Sequence, residues 1–253
     1  LFDLEDNITH AIDDAAYDSV GIVVADNLYV TQLSGSIQNG IDAASAGDTL
    51  HIQTGTYTEN LTIDKTLQLL GAGSGLTILE AGSDIGINVT AGGTSAADAD
   101  RLLISGLTIN NAASMGIVID GTVSYITIDD VDVNVDGVKR TDYGLEVAAT
   151  ANVTDLLIDN SSFSTNYEGA GMHVHGSVDG LTITDSHFDG NNIGFYAFQV
   201  DGSNTILNNV NITDSTFNDN TYKGLYIEKL DNALLDNITV NNSGTLSGTT
   251  DGL

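Results

Sequence analysis

The sequence predicts an all-β solenoid, a stack of parallel coils closed at its N-terminal end by a short helix. Three observations predict it. A strand phrase recurs on the anchors Ile104, Ile128, Ile158, Ile183, Ile212 and Leu235, at successive spacings of 24, 30, 25, 29 and 23 residues. A second phrase opening on glycine falls between them: Gly116-Ile-Val-Ile, Gly144-Leu-Glu-Val, Gly171-Met-His-Val, Gly194-Phe-Tyr-Ala and Gly224-Leu-Tyr-Ile, with an earlier relative at Gly86-Ile-Asn-Val. Both phrases alternate apolar and polar residues with the strand period of two, and neither carries helical spacing. A repeat of about 20 to 30 residues built from short strands is the mark of a structure in which each unit buries its apolar face against its neighbours.

Taken in order, residues 1–35 read as an N-terminal cap or a preceding coil. Ile8, Ala11, Ile12 and Ala15 give Asn7 to Tyr17 some helical spacing, and Val20 to Val24 and Leu28 to Val30 read as strands. Residues 36–253 are the solenoid proper. Ile37, Ile41 and Ala44 are spaced for a short amphipathic helix, with Ser36 as N-cap and Gly47 as its stop. Such a helix covers the open end of a stack, which would otherwise expose apolar surface and unpaired backbone. Asp48 to Gln53 alternates as a strand, Gly55-Thr56-Tyr57 reads as a turn, and Leu61 to Ile63 and Leu67 to Leu69 follow as strands. The cleanest coil is Leu181 to Ala197. Leu181, Ile183, Phe188 and Phe195 face the core there, and Asp185 and Asp189 sit at turns.

The opening stretch from Ile37 to Gly73 resembles the start of parallel β-helix proteins of the pectin-lyase-like superfamily, above all its pectin methylesterase-like and NosD-like members. The resemblance rests on a helix followed by Gly47-Asp48, a short strand, Gly55-Thr56-Tyr57, and the phrase from Lys65 to Gly71. It implies a single-stranded right-handed parallel β-helix. For activity it implies only a range, because the superfamily hosts lyases, hydrolases, esterases, epimerases, phage tailspikes and non-catalytic surface proteins. The methylesterases' paired Asp with Gln and Arg, the polygalacturonases' Asn-Thr-Asp and Arg-Ile-Lys, and the epimerases' Asp-Pro-His have no counterpart here.

Composition narrows the classes. Six Lys and Arg against 35 Asp and Glu give a formal charge of −29, which repels nucleic acid and anionic membranes and suits divalent cations. The chain contains no Cys, so disulfides, thiolate metal sites and cysteine nucleophiles are excluded. No run approaches the roughly 18 to 20 apolar residues of a membrane-spanning helix. Opening on Leu1 without Met and closing at Asp251-Gly252-Leu253, the chain reads as a segment of a longer protein or as a processed one.

Register places the candidate sites. Two residues after each anchor stand Gly106, Asp130, Asn160, Asp185, Asp214 and Asn237; six after it stand Asn110, Asn134, Ser164, Asp189, Asn218 and Asn241. These columns read as turn ladders in which Asx side chains bond backbone and one another. Asp129 and Asp159 fall one above the other beside Asp130 and Asn160, a stacking of carboxylates that invites Ca²⁺.

Two residues after each glycine, Val118, Glu146, His173, Tyr196 and Tyr226 should point outward, with Asp120, His175, Phe198 and Glu228 in the next outward row. Aromatic faces stack on sugar C–H surfaces and carboxylates bind hydroxyls, so this strip is a candidate saccharide surface. His173 and His175 lie on the same side of one strand with Glu146 adjacent, a spacing compatible with metal ligation.

The expected function is therefore a non-catalytic extracellular or cell-surface β-helix module of a larger surface, filament or adhesin-type protein, with glycan or copies of itself as partners. The alternative is a carbohydrate-active enzyme acting on an extracellular polysaccharide, with His173, Tyr196 and Glu146 as its acid/base candidates.

Overall fold

The computed structural model describes residues 1–14, 16, 26–33, 35–82, 85–134, 142–164, 169–198, 207–228 and 230–244. Two parallel sheets run the length of the stack. The first climbs through Asn27–Val30, Thr49–Ile52, Gln68–Leu70, Leu102–Asn110, Thr122–Asn134, Asn152–Asp159, Ser177–Thr184, Leu207–Thr213 and Leu230–Asp236. The second climbs through Leu61–Ile63, Ile85–Val89, Met115–Ile119, Tyr143–Val147, Ala170–Val174, Ile193–Ala197 and Lys223–Ile227. Successive anchors pair in register, Ile104 with Ile128, then Ile158, Ile183, Ile212 and Leu235. Unequal spacings are absorbed between the strands, so the anchors from Ile104 to Ile212 are all buried, while Leu235 on the last strand is exposed.

Two columns explain why the repeat is written as it is. Asp130, Asn160, Asp185, Asp214 and Asn237 all hold positive φ, from 43° to 51°, and so turn the chain in the left-handed conformation that Asn and Asp tolerate best. The second column is a matter of space. A Cβ on Gly144 would lie 2.6 Å from the Gly171 carbonyl oxygen, and one on Gly194 would lie 2.5 Å from that of Gly224. Only glycine lets these coils stack.

Inside, the rings of Phe163, Phe188 and Phe217 lie face to face with centroids 5.1 and 5.2 Å apart. All three are fully buried, and truncating one to Ala would cost about 3–5 kcal/mol. Buried polar groups are arranged just as regularly. The hydroxyls of Ser161, Ser186 and Ser215 each donate to a carbonyl two residues back, at 2.7 Å, and accept an N–H from the coil before: Val131, Ser161 and Ser186 respectively. Asn191 and Asn220 form a matching pair, the Asn191 N–H donating to Asn220 Oδ1 at 2.9 Å. Arg101, only 3% exposed, donates to Thr127, to the Ile126 and Asp155 carbonyls, and to the Asp155 carboxylate at 2.9 Å.

Helix α1 spans Phe2–Glu5 and helix α2 spans Ile37–Ala43. Ser36 caps α2 as expected, its side chain accepting from the Asn39 N–H. The next coil completes both ends. Glu59 accepts from Ser36 Oγ and from the Ile37 and Gln38 N–H groups at 2.8–2.9 Å, and Lys65 Nζ donates to the Ile41, Asp42 and Ala44 carbonyls at 3.0–3.3 Å. These are the orphan groups a helix leaves at its termini.

Three local expectations are corrected. The helix near the N-terminus is Phe2–Glu5 rather than a segment from Asn7 to Tyr17; within the described part of that stretch the chain makes turns, held by the His10 N–H donating to Asp13 Oδ2 at 2.8 Å. α2 stops at Ala43 rather than near Gly47, because Ala44 is already extended. Gly55–Tyr57 is a short strand rather than a turn, paired with Thr77–Leu79. The strand expected at Val20 to Val24, and the closing Asp251 to Leu253, lie outside the described residues.

Candidate functional site

The outward row of the second sheet has the expected register. Glu146 pairs with Val118 and His173, His173 with Tyr196, and Tyr196 with Tyr226, so four successive coils contribute Glu146, His173, Tyr196 and Tyr226 to one line. Their rings form a ladder. His173 stacks on Tyr196 with centroids 4.9 Å apart, Tyr196 on Tyr226 at 5.8 Å, and Phe198 flanks both tyrosines at 6.0 and 6.5 Å. Tyr226 Oη donates to Glu228 Oε1 at 2.7 Å, and Lys223 Nζ sits 4.7 Å from the Tyr226 ring centroid.

Facing outward is not the same as being exposed. Glu146 and His173 retain only 8% and 6% of their surface, whereas Tyr196, Phe198, Tyr226 and Glu228 are half-buried. Tyr143 accounts for part of the difference, its ring lying over His173 at a centroid distance of 4.3 Å. Sequence reading missed Tyr143, together with Tyr222 and Lys223. The position before each glycine of the second phrase is itself a column, Met115, Tyr143, Ala170, Ile193 and Lys223, and it packs on the outer face. Tyr143, Ala170, Ile193, Tyr196 and Tyr222 line a pocket of about 190 Å³ beside the ladder.

The phenols are poor acids in this setting. Burial pushes Tyr143 up to about 12. It also raises Tyr196, with the Glu228 charge adding to the effect, and the hydrogen bond to Glu228 raises Tyr226. All three stay neutral at physiological pH, offering hydroxyls and ring edges rather than charge.

His173 Nδ1 lies 3.6 Å from Glu146 Oε1, and His173 and His175 have ring centroids 5.3 Å apart. Glu146, His173 and His175 can each place a ligand-type atom within 4.8 Å of the others, as can Glu5, His10 and Asp13 near the N-terminus. Asp129, Asp130 and Asp159 are not such a group among the described residues. Asp129 and Asp159 do stack. Asp130 is turned away to accept from the Ser74 hydroxyl at 2.7 Å and the Ser74 N–H at 3.1 Å, and Asp159 accepts from Thr184 Oγ1. Both Asp130 oxygens and one Asp159 oxygen are thus engaged within the protein. Burial, with the Asp159 charge behind it, holds the Asp129 carboxyl above its ordinary range.

Residues 85–251 match the family described as right handed beta helix region. The chain belongs to that family. No curated protein matches the sequence. Among solved structures, this β-helix is similar to pectate lyase Pel9A at 16% identity and a TM-score of 0.59, covering 82% of this chain and 56% of that one. It also matches ORF18 of Geobacillus virus E2 at 20% identity and a TM-score of 0.45, covering 72% of this chain and 38% of that one. A Yersinia enterocolitica family 28 exopolygalacturonase matches at 11% identity and a TM-score of 0.41, covering 92% and 66%. The β-helix thus spans about half the length of the pectate lyase, and the likeness is one of fold. Among the described residues, no helix is long and apolar enough to cross a membrane.

Proposed function

We propose that this β-helix is a non-catalytic module of a larger extracellular or cell-surface protein and that the row from His173 to Tyr226 binds glycan. The observation that carries this reading is the continuous outer ladder of stacked rings on three successive coils, ending at the Tyr226–Glu228 hydrogen bond. The outward edges of the stacked rings give an apolar strip stepped one coil at a time along which sugar units can lie, while Glu228 and the neutral phenols supply hydroxyl partners. With a formal charge of −29, a neutral glycan suits the chain better than a polyuronate. Affinity electrophoresis through gels cast with neutral and acidic polysaccharides tests this. Retardation by a neutral glycan that Tyr226→Ala removes supports the reading; free migration in every gel refutes it.

A second reading, a carbohydrate-active enzyme, draws on the buried Glu146–His173 pair and the pectate lyase fold likeness. In it, Glu146 and His173 would share acid/base work beside Tyr196. Release of new reducing or unsaturated ends from pectin, alginate or a neutral glycan, lost on Glu146→Gln, would establish that reading in place of the first.

A further inference from the structure

The inner end of the ladder holds a second kind of chemistry. Glu146 and His173 are cross-strand neighbours, and His175 follows His173 by two residues on the same face, so the sheet itself brings two imidazoles and a carboxylate together. Independently of that grouping, His173 Nδ1 is sealed from water and has no hydrogen-bond partner among the described residues, while the residue as a whole is only 6% exposed. Glu146 Oε1, at 3.6 Å, is too distant to serve as one. An orphaned buried polar atom is unfavourable, and the rings of Tyr143 and Tyr196 packed on His173 hold the plane of its imidazole.

Ligand geometry supplies the missing partner. A tetrahedral ion with nitrogen and oxygen ligands at about 2.0–2.1 Å spaces its ligand atoms about 3.4 Å apart. The Glu146–His173 separation is already close to that, and one ligand-type atom from each of the three residues lies within 4.8 Å of the others. In the N-terminal group the corresponding contact is shorter, His10 Nε2 standing 3.0 Å from Glu5 Oε1 although both atoms are buried without a well-aligned hydrogen bond, and His10 Nδ1 accepts from the Ile12 N–H at 3.3 Å.

We propose that Glu146, His173 and His175 form a site for a divalent first-row transition ion of the Zn²⁺ class. Two imidazoles with one carboxylate select such an ion over Ca²⁺ or Mg²⁺ and leave coordination open for water or for a donor on a bound molecule. The proposal goes beyond the glycan reading and does not depend on it.

Titrating the chelator-stripped chain with Zn²⁺ by calorimetry, and separately following the ring nitrogens of its five histidines by NMR, tests the site. One Zn²⁺ should bind in the micromolar range or tighter, shifting His173 and His175 selectively. His175→Ala and Glu146→Gln should each weaken binding by about tenfold or more, and Asp179→Asn, on the opposite sheet, should not. Zn²⁺ affinity no greater than that for Ca²⁺, tight binding that survives both variants, or unshifted His173 and His175 signals would each overturn the site. Should a variant fail to fold, the histidine signals of the unaltered chain decide alone.

Discussion

The imidazole of His173 lies on the ring of Tyr196 with centroids 4.9 Å apart and planes within 18°, although the two residues belong to different coils. Each therefore holds the other in place. Tyr196→Ala is expected to remove the outer wall of the His173 clamp and a half-buried aromatic face, lowering stability by about 1–3 kcal/mol in urea unfolding. Tyr226→Ala, at the more open end, should cost under about 1 kcal/mol while abolishing glycan retardation. A variant pair that lost binding and stability in proportion would count against a surface role for Tyr226.

Gly194→Ala should be among the most damaging single-methyl changes in the protein. The new Cβ would meet the Gly224 oxygen at 2.5 Å and the Phe188 oxygen at 2.9 Å, both backbone atoms that cannot step aside without separating coils. The expected loss is about 3 kcal/mol, read as a lower urea midpoint with little change in slope. Gly190→Ala, where a Cβ would meet open space but φ is 72°, should cost only about 1 kcal/mol.

Helix α2 depends on two side chains from the coil above it. Glu59→Ala removes the acceptor of three hydrogen bonds at the N-terminal end and should cost about 2 kcal/mol. Lys65→Met takes the donor from three C-terminal carbonyls and should cost about 1 kcal/mol. Hydrogen exchange of the α2 amides is the more specific measurement, and it should accelerate in both variants.

Asp129 sets a pH dependence. Because burial raises its carboxyl above 3.8 in the fold, the native chain binds that proton more readily than the unfolded chain does. Its contribution to stability therefore falls as pH rises from 3.8 through the raised value, and stays low to neutrality. Asp129→Asn should raise the melting temperature at pH 7 and lose that advantage near about pH 4. A rise on adding millimolar Ca²⁺, seen in the parent chain and absent from Asp129→Asn, would instead make the Asp129–Asp159 column a calcium site.

Much of the fold was legible because a solenoid writes its geometry as columns. The positive-φ corner at Asp130 to Asn237, the glycine column and the outer row from Glu146 to Tyr226 could be read from spacing alone. Burial along that row could not. His173 is covered by Tyr143, which stands one position before the repeating glycine phrase and so outside the columns counted from that glycine. The partners of α2 were hidden for a related reason. Glu59 and Lys65 act across more than 20 residues, a range at which only the stacked coils bring them to the helix ends. Stacked carboxylates at Asp129 and Asp159 were legible as neighbours, but the commitment of Asp130 to Ser74, 56 residues away, was not.

The serine column laces each joint of the stack from both sides. Ser161 completes the backbone of the coil before it, Ser186 completes that of Ser161, and Ser215 that of Ser186, each hydroxyl reaching from the later coil to the earlier. The Ser161 and Ser186 carbonyls in turn accept from the His187 and Thr216 amides of the coil that follows. Melting the coil that carries Ser215 strands the Ser186 amide, and melting the coil of Ser186 strands that of Thr216, so neighbouring coils should open together. Ser215→Ala should speed exchange of the Ser186 amide and leave that of Val131 unchanged.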